Sequence, residues 1–191
     1  MRDLDERGDA LRDRKTGDPR ALLEAAYTAH ADRLYRYALM LLTDHAAAED
    51  AVHQAFVKLA RMGWRAMAIE SCAYYLRTAV RNECWRMLGG KRRRGREVEL
   101  VSAEPILEAA HESGVDADER LKIEAALREL PPEQREVIHM KVYEGNTFQQ
   151  VADLLGVSIN TVASRYRYAM DKLHHLLNCP GNPEGYSHER R

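Results

Sequence analysis

The sequence has few cysteines, no long apolar run and no apolar leader, and each scarcity excludes a class of protein. The three cysteines are odd in number and form no Cys-x-x-Cys pair, which favours reduced thiols over a disulfide framework. No apolar stretch approaches the ~20 residues that span a bilayer. Residues 1–20 carry six basic and six acidic side chains and lack the apolar core of a secretory signal. We therefore expect a cytoplasmic protein without membrane insertion.

Aromatic residues make up only 7% of the chain, and runs rich in Val, Ile or Thr are rare. The 45% of hydrophobic residues instead recur every three to four positions over long segments. This spacing predicts an all-α fold. The 191 residues suffice for one medium domain or two small ones.

The charges divide the chain, although the net charge is only -1. Nine basic residues stand between Arg61 and Arg94 against two acidic ones, whereas residues 97–119 contain eight acidic residues and no Lys or Arg. The pattern predicts a polyanion-binding module followed by a flexible acidic linker. Two solvent-exposed faces of a single domain would give the same charge pattern, so charge alone is compatible with both interpretations.

The first module is predicted to contain three amphipathic helices. They span Ala21–Leu42, Asp44–Met62 and Ser71–Leu88, with Thr43 or Asp44 as the cap of the second. In the third, Leu76, Ala79, Val80 and Met87 are predicted to face the core. Gly89-Gly90 is expected to end that helix before the basic run from Lys91 to Arg94.

The second module is predicted to contain a helix-turn-helix. Pro131-Pro132 should break one helix and begin the next. Val151, Leu154 and Leu155 follow at helical spacing before Gly156, which supplies a left-handed helix stop. Ser158 is the predicted N-cap of the last helix, in which apolar residues resume at Val162. This arrangement indicates a DNA-binding module.

A helical wheel of the last helix, centred on the buried Val162, gives candidate DNA contacts on the opposite side. Asn and Arg can pair with adenine and guanine edges through two hydrogen bonds, and Ser or Thr can reach either base. Arg165 lies nearer the flank and suits a phosphate. The candidates for contact with DNA are Ser158, Asn160, Thr161, Ser164, Arg165 and Arg167.

Both modules resemble bacterial RNA polymerase sigma factors, in particular the extracytoplasmic-function (ECF) group. The segments Leu130–Val137, Leu155–Ser158 and Thr161–Arg165 resemble region 4, which implies binding of the minus-thirty-five element. Residues Ala48–Phe56 resemble the part of region 2 that grips the polymerase clamp helices, which implies polymerase contacts at Asp50, His53 and Gln54. Tyr75–Asn82 resembles the part that opens and reads the minus-ten element.

For the minus-ten element, single-stranded bases require aromatic or polar side chains on a basic surface. Base stacking and core packing are equal alternatives for Tyr74, Tyr75 and Trp85, whereas Phe56 and Leu59 are expected in the core. The candidates for this element are Tyr74, Tyr75, Arg77, Arg81, Asn82, Trp85, Arg86, Lys91, Arg92, Arg93 and Arg94.

The resemblance implies an organisation and a set of partners. The expected divisions are an N-terminal extension (1–19), region 2 (20–95), an acidic linker (96–119), region 4 (120–178) and a disordered tail (179–191). The expected partners are core RNA polymerase, promoter DNA in duplex and single-stranded form, and an anti-sigma factor or another control. No cofactor, metal or catalytic residue is expected.

The sequence departs from the family's pattern at three places. Tyr75 stands where Trp is frequent, His53 and Gln54 stand where Gln and Glu are usual, and Ala163 takes a recognition-helix position that is often basic. These departures affect base stacking, one charge at the polymerase contact and promoter preference, respectively.

Two other functions are compatible with parts of the sequence. A stand-alone helix-turn-helix regulator would bind duplex DNA without polymerase, but it would not need the basic, aromatic third helix. A metal enzyme would use His174, His175 and Cys179, yet no fourth ligand stands at a suitable spacing.

Overall fold

The computed structural model describes residues 18–69, 71–94 and 116–178. Within these ranges every regular element is helical and no strand occurs. The helices fall into two compact units, with the division after Ser102. The predicted all-α fold is therefore confirmed. The extension up to residue 17, residues 95–115 of the predicted linker and the tail from residue 179 lie outside the described residues.

The first unit contains helices α1 (Pro19–Leu42), α2 (His45–Met62) and α3 (Cys72–Arg94), with a short 3-10 segment, Gly63–Ala68, between α2 and α3. The turn between α1 and α2 has only two residues. Thr43 ends α1 in the left-handed conformation at φ 53°, and the Asp44 carboxylate accepts from the Ala47 amide at 3.0 Å. Asp44 is thus the cap of α2, one of the two residues predicted.

The core of this unit is formed where the three helices meet. Leu41, Ala55, Leu76 and Val80 are fully buried, and Ala79 is buried beside them. Phe56 and Leu59 are buried as well, which confirms the prediction that they belong to the core. Met87, predicted to face inward, is half-buried. Apart from Glu83, the described charged side chains on α2 and α3 lie at least partly toward solvent.

The predicted end of α3 at Gly89-Gly90 is wrong, because the helix continues through both glycines to Arg94. Neither glycine has a positive φ. Glycine costs a helix about 1 kcal/mol relative to alanine but leaves every backbone hydrogen bond possible. Lys91–Arg94 are thus helical in backbone, and their side chains lie outside the described residues.

The second unit contains helices α4 (Ala117–Arg128), α5 (Pro132–Ile138), α6 (Phe148–Leu155) and α7 (Ile159–Asn178), with a π-helical turn, His139–Tyr143, after α5. Helix α4 begins at Ala117, within the last residues of the segment assigned to the acidic linker. Asp118 and Glu119 lie in its first turn, where negative charge favours a helix start. Pro132 begins α5 as predicted.

A buried cation joins the first two helices of this unit. Arg135 on α5 is buried, and its guanidinium donates to the Arg128 carbonyl at the end of α4 at 2.9 Å. Burial lowers the pKa of Arg135 to about 10, opposed by the charges of Glu133 and Glu129. The side chain therefore stays charged at neutral pH while it satisfies a carbonyl at a helix end.

Candidate nucleic-acid interface

The helix-turn-helix is built by local hydrogen bonds at both helix starts. Thr147 and Gln150 form a reciprocal capping box at α6, with N···O distances of 3.2 and 2.8 Å. Gly156 ends α6 in the left-handed conformation at φ 66°, and Ser158 Oγ accepts from the Thr161 amide at 3.1 Å. The predicted stop at Gly156 and the predicted N-cap Ser158 are both confirmed.

The same substitution should have opposite effects at two glycines. Gly156→Ala is expected to destabilise the second unit by about 1–2 kcal/mol, because a Cβ disfavours the left-handed conformation. Gly89→Ala, in helical α3, is expected to stabilise the first unit by about 0.5–1 kcal/mol. An added Cβ meets nothing within 4 Å at either site, so backbone conformation alone sets the sign. Urea unfolding by circular dichroism measures both, and native hydrogen exchange assigns each change to its unit; stabilisation by both substitutions would contradict the assigned conformations.

The recognition helix α7 presents the predicted row opposite its buried face. Val162 and Ala169 are fully buried, whereas Asn160 and Arg167 are exposed. The guanidinium of Arg167 lies over the ring of Tyr168, 5.2 Å from its centroid. Such a cation–π contact restricts a long side chain without using its hydrogen-bond donors.

The remaining candidates of this row are partly engaged. The hydroxyls of Ser158 and Thr161 are 2.8 Å apart and share a hydrogen bond, so both oxygens belong to the helix cap. Ser164 and Arg165 are half-buried. The row therefore combines two exposed side chains outside the helix cap, Asn160 and Arg167, with four that are half-buried or engaged in the cap.

Helix α3 presents aromatic and basic side chains on one face of the first unit. Tyr74 is 59% exposed, and Tyr75 and Trp85 are half-buried. Arg81 stacks over Trp85, 5.9 Å from the ring centroid. Full core packing is thus excluded for these aromatic rings, although two are only partly accessible. Among the other candidates of this helix, Asn82 and Arg86 are exposed, and Arg77 and Arg81 are half-buried.

A buried carboxylate lies behind this face. Glu83, on the side of α3 that packs against α2, accepts a hydrogen bond from Lys58 on α2 and another from Arg86 Nε at 2.7 Å. Burial by itself raises the pKa of Glu83, but the hydrogen bonds and charges of Lys58 and Arg86 outweigh it and leave the pKa below its ordinary value. Glu83 is therefore ionised at neutral pH.

Helix α2 carries the predicted polymerase contacts on its outer face. Asp50, His53 and Gln54 are all exposed. His53 also lines a groove of about 810 Å³ between α1 and α2, where the rings of Tyr27 and Phe56 pack with centroids 5.1 Å apart. Polar side chains and an apolar groove thus adjoin on one side of this unit.

Comparison with known proteins decides the family. The family model described as "Sigma-70 region 2" matches residues 26–94, and the model described as "Sigma-70, region 4" matches residues 120–173. The ECF RNA polymerase sigma factor SigL of Mycobacterium tuberculosis is 33% identical over 162 residues, which cover 80% of this chain and 87% of SigL. The chain belongs to the ECF sigma factors. This membership makes it a transcription initiation factor that directs core RNA polymerase to promoters.

Two further matches agree with this ECF membership. SigK of Mycobacterium bovis is 27% identical over 179 residues, covering 90% of this chain and 92% of SigK. The sigma factor RpoE of Bartonella quintana, solved in complex with the anti-sigma factor NepR, superposes with a TM-score of 0.62 at 26% identity. The superposition covers 80% of this chain and 94% of RpoE.

The metal-enzyme alternative has no geometric support in the described part of this ECF sigma factor. There, no group of three or more His, Cys, Asp or Glu side chains is arranged to hold a metal ion. His174 is exposed and His175 is half-buried on α7, while Cys179 lies outside the described residues. No described helix is long and apolar enough to cross a membrane.

Sequence reasoning missed three features of this ECF sigma factor. Trp64, in the 3-10 segment, is 73% exposed, but no periodic pattern pointed to it. The ion pair between Glu83 and Arg86 could have been predicted, because residues three apart in a helix are neighbours on its surface. Lys58 joins that pair only through the packing of α2 on α3, which the linear sequence does not contain.

Proposed function

We propose that the two units divide promoter recognition between α3 and α7. The observation that carries this proposal is the pair of exposed polar faces, one with aromatic and basic side chains on α3 and one with Asn160 and Arg167 on α7. Strand opening needs surfaces that hold unstacked bases, whereas a recognition helix reads duplex edges in the major groove. Run-off transcription with core polymerase on genomic fragments tests the proposal and yields the promoter sequence.

Asn160 and Arg167 contact the bases of the upstream element, because their side chains are exposed and each can form two hydrogen bonds with one base. Arg165 binds a phosphate. Ser158 and Thr161 fix the N-terminus of α7, which faces the DNA. The backbone N–H groups at a helix N-terminus favour phosphates. Ser164 adds a short polar contact from the middle of the row.

In the minus-ten element, Tyr74 stacks on an unpaired base, and Asn82 forms hydrogen bonds with a base edge. Tyr75 and Trp85 support the same surface with their accessible edges. The cations Arg77, Arg81, Arg86 and the run Lys91, Arg92, Arg93 and Arg94 attract the phosphates of both strands.

The polymerase contact is made by the outer face of α2. Asp50, His53 and Gln54 line up there at helical spacing, and the adjoining groove offers apolar surface beside them. An exposed carboxylate of this kind forms an ion pair with a basic polymerase helix and speeds its encounter.

Asp50→Ala is expected to weaken assembly with core polymerase by up to about fivefold, the scale of one exposed ion pair. The loss should shrink as the salt concentration rises, because ions screen the pair. Titration of fluorescent protein with core polymerase at two salt concentrations measures it. Asp153→Ala, which removes an exposed carboxylate from α6, is the charge-matched control; equal affinity of wild type and Asp50→Ala would exclude Asp50 from the interface.

Regulation by an anti-sigma factor completes the proposal. The solved structure of RpoE contains the anti-sigma factor NepR, and a comparable partner would silence this chain by covering its polymerase-binding surfaces. The protein acts without catalysing a reaction itself, in the cytoplasm, where polymerase and promoters are found.

A further inference from the structure

Two cations from different helices meet at one buried carboxylate in the first unit. The side chain of Glu83 is only 6% exposed, whereas those of its partners Lys58 and Arg86 are 47% and 66% exposed. The carboxylate therefore lies beneath the surface and the two positive charges lie at it. Lys58 was not among the residues predicted to bind nucleic acid or polymerase.

The burial of Glu83 makes this arrangement different from an ordinary surface ion pair. Exposed pairs contribute little and do not fix long side chains in place. A buried carboxylate loses its water and requires its hydrogen-bond donors, so removal of a partner is costly. Lys58 on α2 and Arg86 on α3 are therefore held close together, because the same buried Glu83 carboxylate needs both as hydrogen-bond donors.

Both cations retain donors after they satisfy Glu83. Arg86 uses its Nε for the carboxylate, which leaves the N–H groups of its two terminal nitrogens. The Lys58 ammonium has three protons, and this hydrogen bond uses one. The remaining donors of the two groups match the several oxygens of a phosphate.

The position of Arg86 indicates which phosphate. Arg86 follows Asn82 by four residues and Tyr75 by eleven on α3, so the three residues share one face of the helix. We propose that Glu83 holds Lys58 and Arg86 as a paired cationic site for a backbone phosphate of promoter DNA, next to the base contacted by Asn82. This inference rests on the proposed function of α3.

The test uses the full chain bound to core polymerase and a promoter obtained by run-off transcription. Open-complex formation is measured by permanganate reactivity over a series of salt concentrations. Lys58→Met is expected to lower open-complex formation about tenfold, the scale of a charge-assisted hydrogen bond. It should also make open-complex formation less dependent on salt concentration, by about the amount of one phosphate contact. Arg36→Met, which removes an α1 cation paired with the exposed Asp32, is expected to leave both unchanged.

Glu83→Gln separates positioning from simple charge. The variant is one unit more positive, so a charge count alone predicts tighter DNA binding. Our proposal predicts the opposite, a loss of about tenfold, because the amide no longer holds both cations. Circular dichroism checks the fold; if Glu83→Gln unfolds, the half-exposed Lys58→Met variant decides by itself.

Three results would overturn the inference. These are equal behaviour of Lys58→Met and Arg36→Met, tighter or unchanged opening by Glu83→Gln, and weaker binding of Lys58→Met to core polymerase without DNA. The last would assign the pair to a protein interface. If the wild-type protein opens no promoter at all, the proposed function itself is contradicted. If the wild type opens the promoter but any of the three results is found, only the phosphate site is contradicted.

Discussion

Asn82→Ala is expected to lower strand opening at the minus-ten element about tenfold, while binding to the upstream element stays unchanged. Asn82 is exposed on α3, in the first unit, and its amide can donate to and accept from one base edge. A lost base contact costs about 1–3 kcal/mol, which corresponds to roughly a five- to 150-fold change. Permanganate reactivity of thymines in the complex with polymerase measures opening, and a footprint of the upstream element measures duplex binding.

Asn178→Ala is the matched control for this substitution. It removes the same exposed amide at the last residue of α7, outside both predicted rows of DNA contacts. We expect it to open promoters like the wild type. Normal opening by Asn82→Ala, or equal losses in both variants, would show that Asn82 does not contact an unpaired base.

Arg167→Ala is expected to reduce discrimination at one base pair of the upstream element by about 1–3 kcal/mol. The guanidinium is exposed and held over Tyr168 at 5.2 Å, so its position is partly fixed before DNA arrives. Preorganisation of this kind lowers the entropy lost on binding. Competition between promoter variants that differ at each upstream base pair measures the effect.

Arg167→Lys distinguishes base reading from phosphate binding. Lysine keeps the charge but loses the planar pair of donors that guanine requires. The lysine variant should therefore bind DNA nearly as tightly as wild type and still lose discrimination. His174→Ala, exposed later on α7, should retain both. A uniform loss across all promoter variants would instead assign Arg167 to a phosphate.

The sequence predicted the helix-turn-helix well because its geometry depends on neighbouring residues. Gly156 adopts the left-handed conformation that ends α6, and Ser158 caps α7 through an amide three residues away. Pro132 begins α5 for the same local reason, since its ring fixes φ and it has no amide hydrogen to satisfy. Such features can be recognised from spacing and residue type alone.

The end of α3 was predicted wrongly because the glycines were judged without the helix that precedes them. Gly89-Gly90 suggested a stop, but a helix already formed and packed along α3 extends by one hydrogen bond per residue. The start of α4 at Ala117 lay within an acidic stretch assigned to the linker, although acidic residues also favour a first turn. Composition could not separate these two effects.

The candidate site was predictable in residue type and helix face, but not in the contacts between helices. Asn160 and Arg167 are exposed as the helical wheel of α7 required, because periodicity fixes which side of a helix faces solvent. The carboxylate of Glu83 was not identified, because its partner Lys58 is 25 residues away in sequence and reaches it only through helix packing. The contacts of all these residues with DNA and polymerase remain predictions.

The most direct test of sigma factor function compares promoter binding by the free protein with promoter opening by its complex with core polymerase. Both are measured on one promoter, by footprinting and by permanganate reactivity. We expect weak or absent specific binding by the free protein, and polymerase-dependent opening with transcription from that promoter. Tight specific duplex binding without polymerase, together with no transcription in its presence, would contradict this expectation.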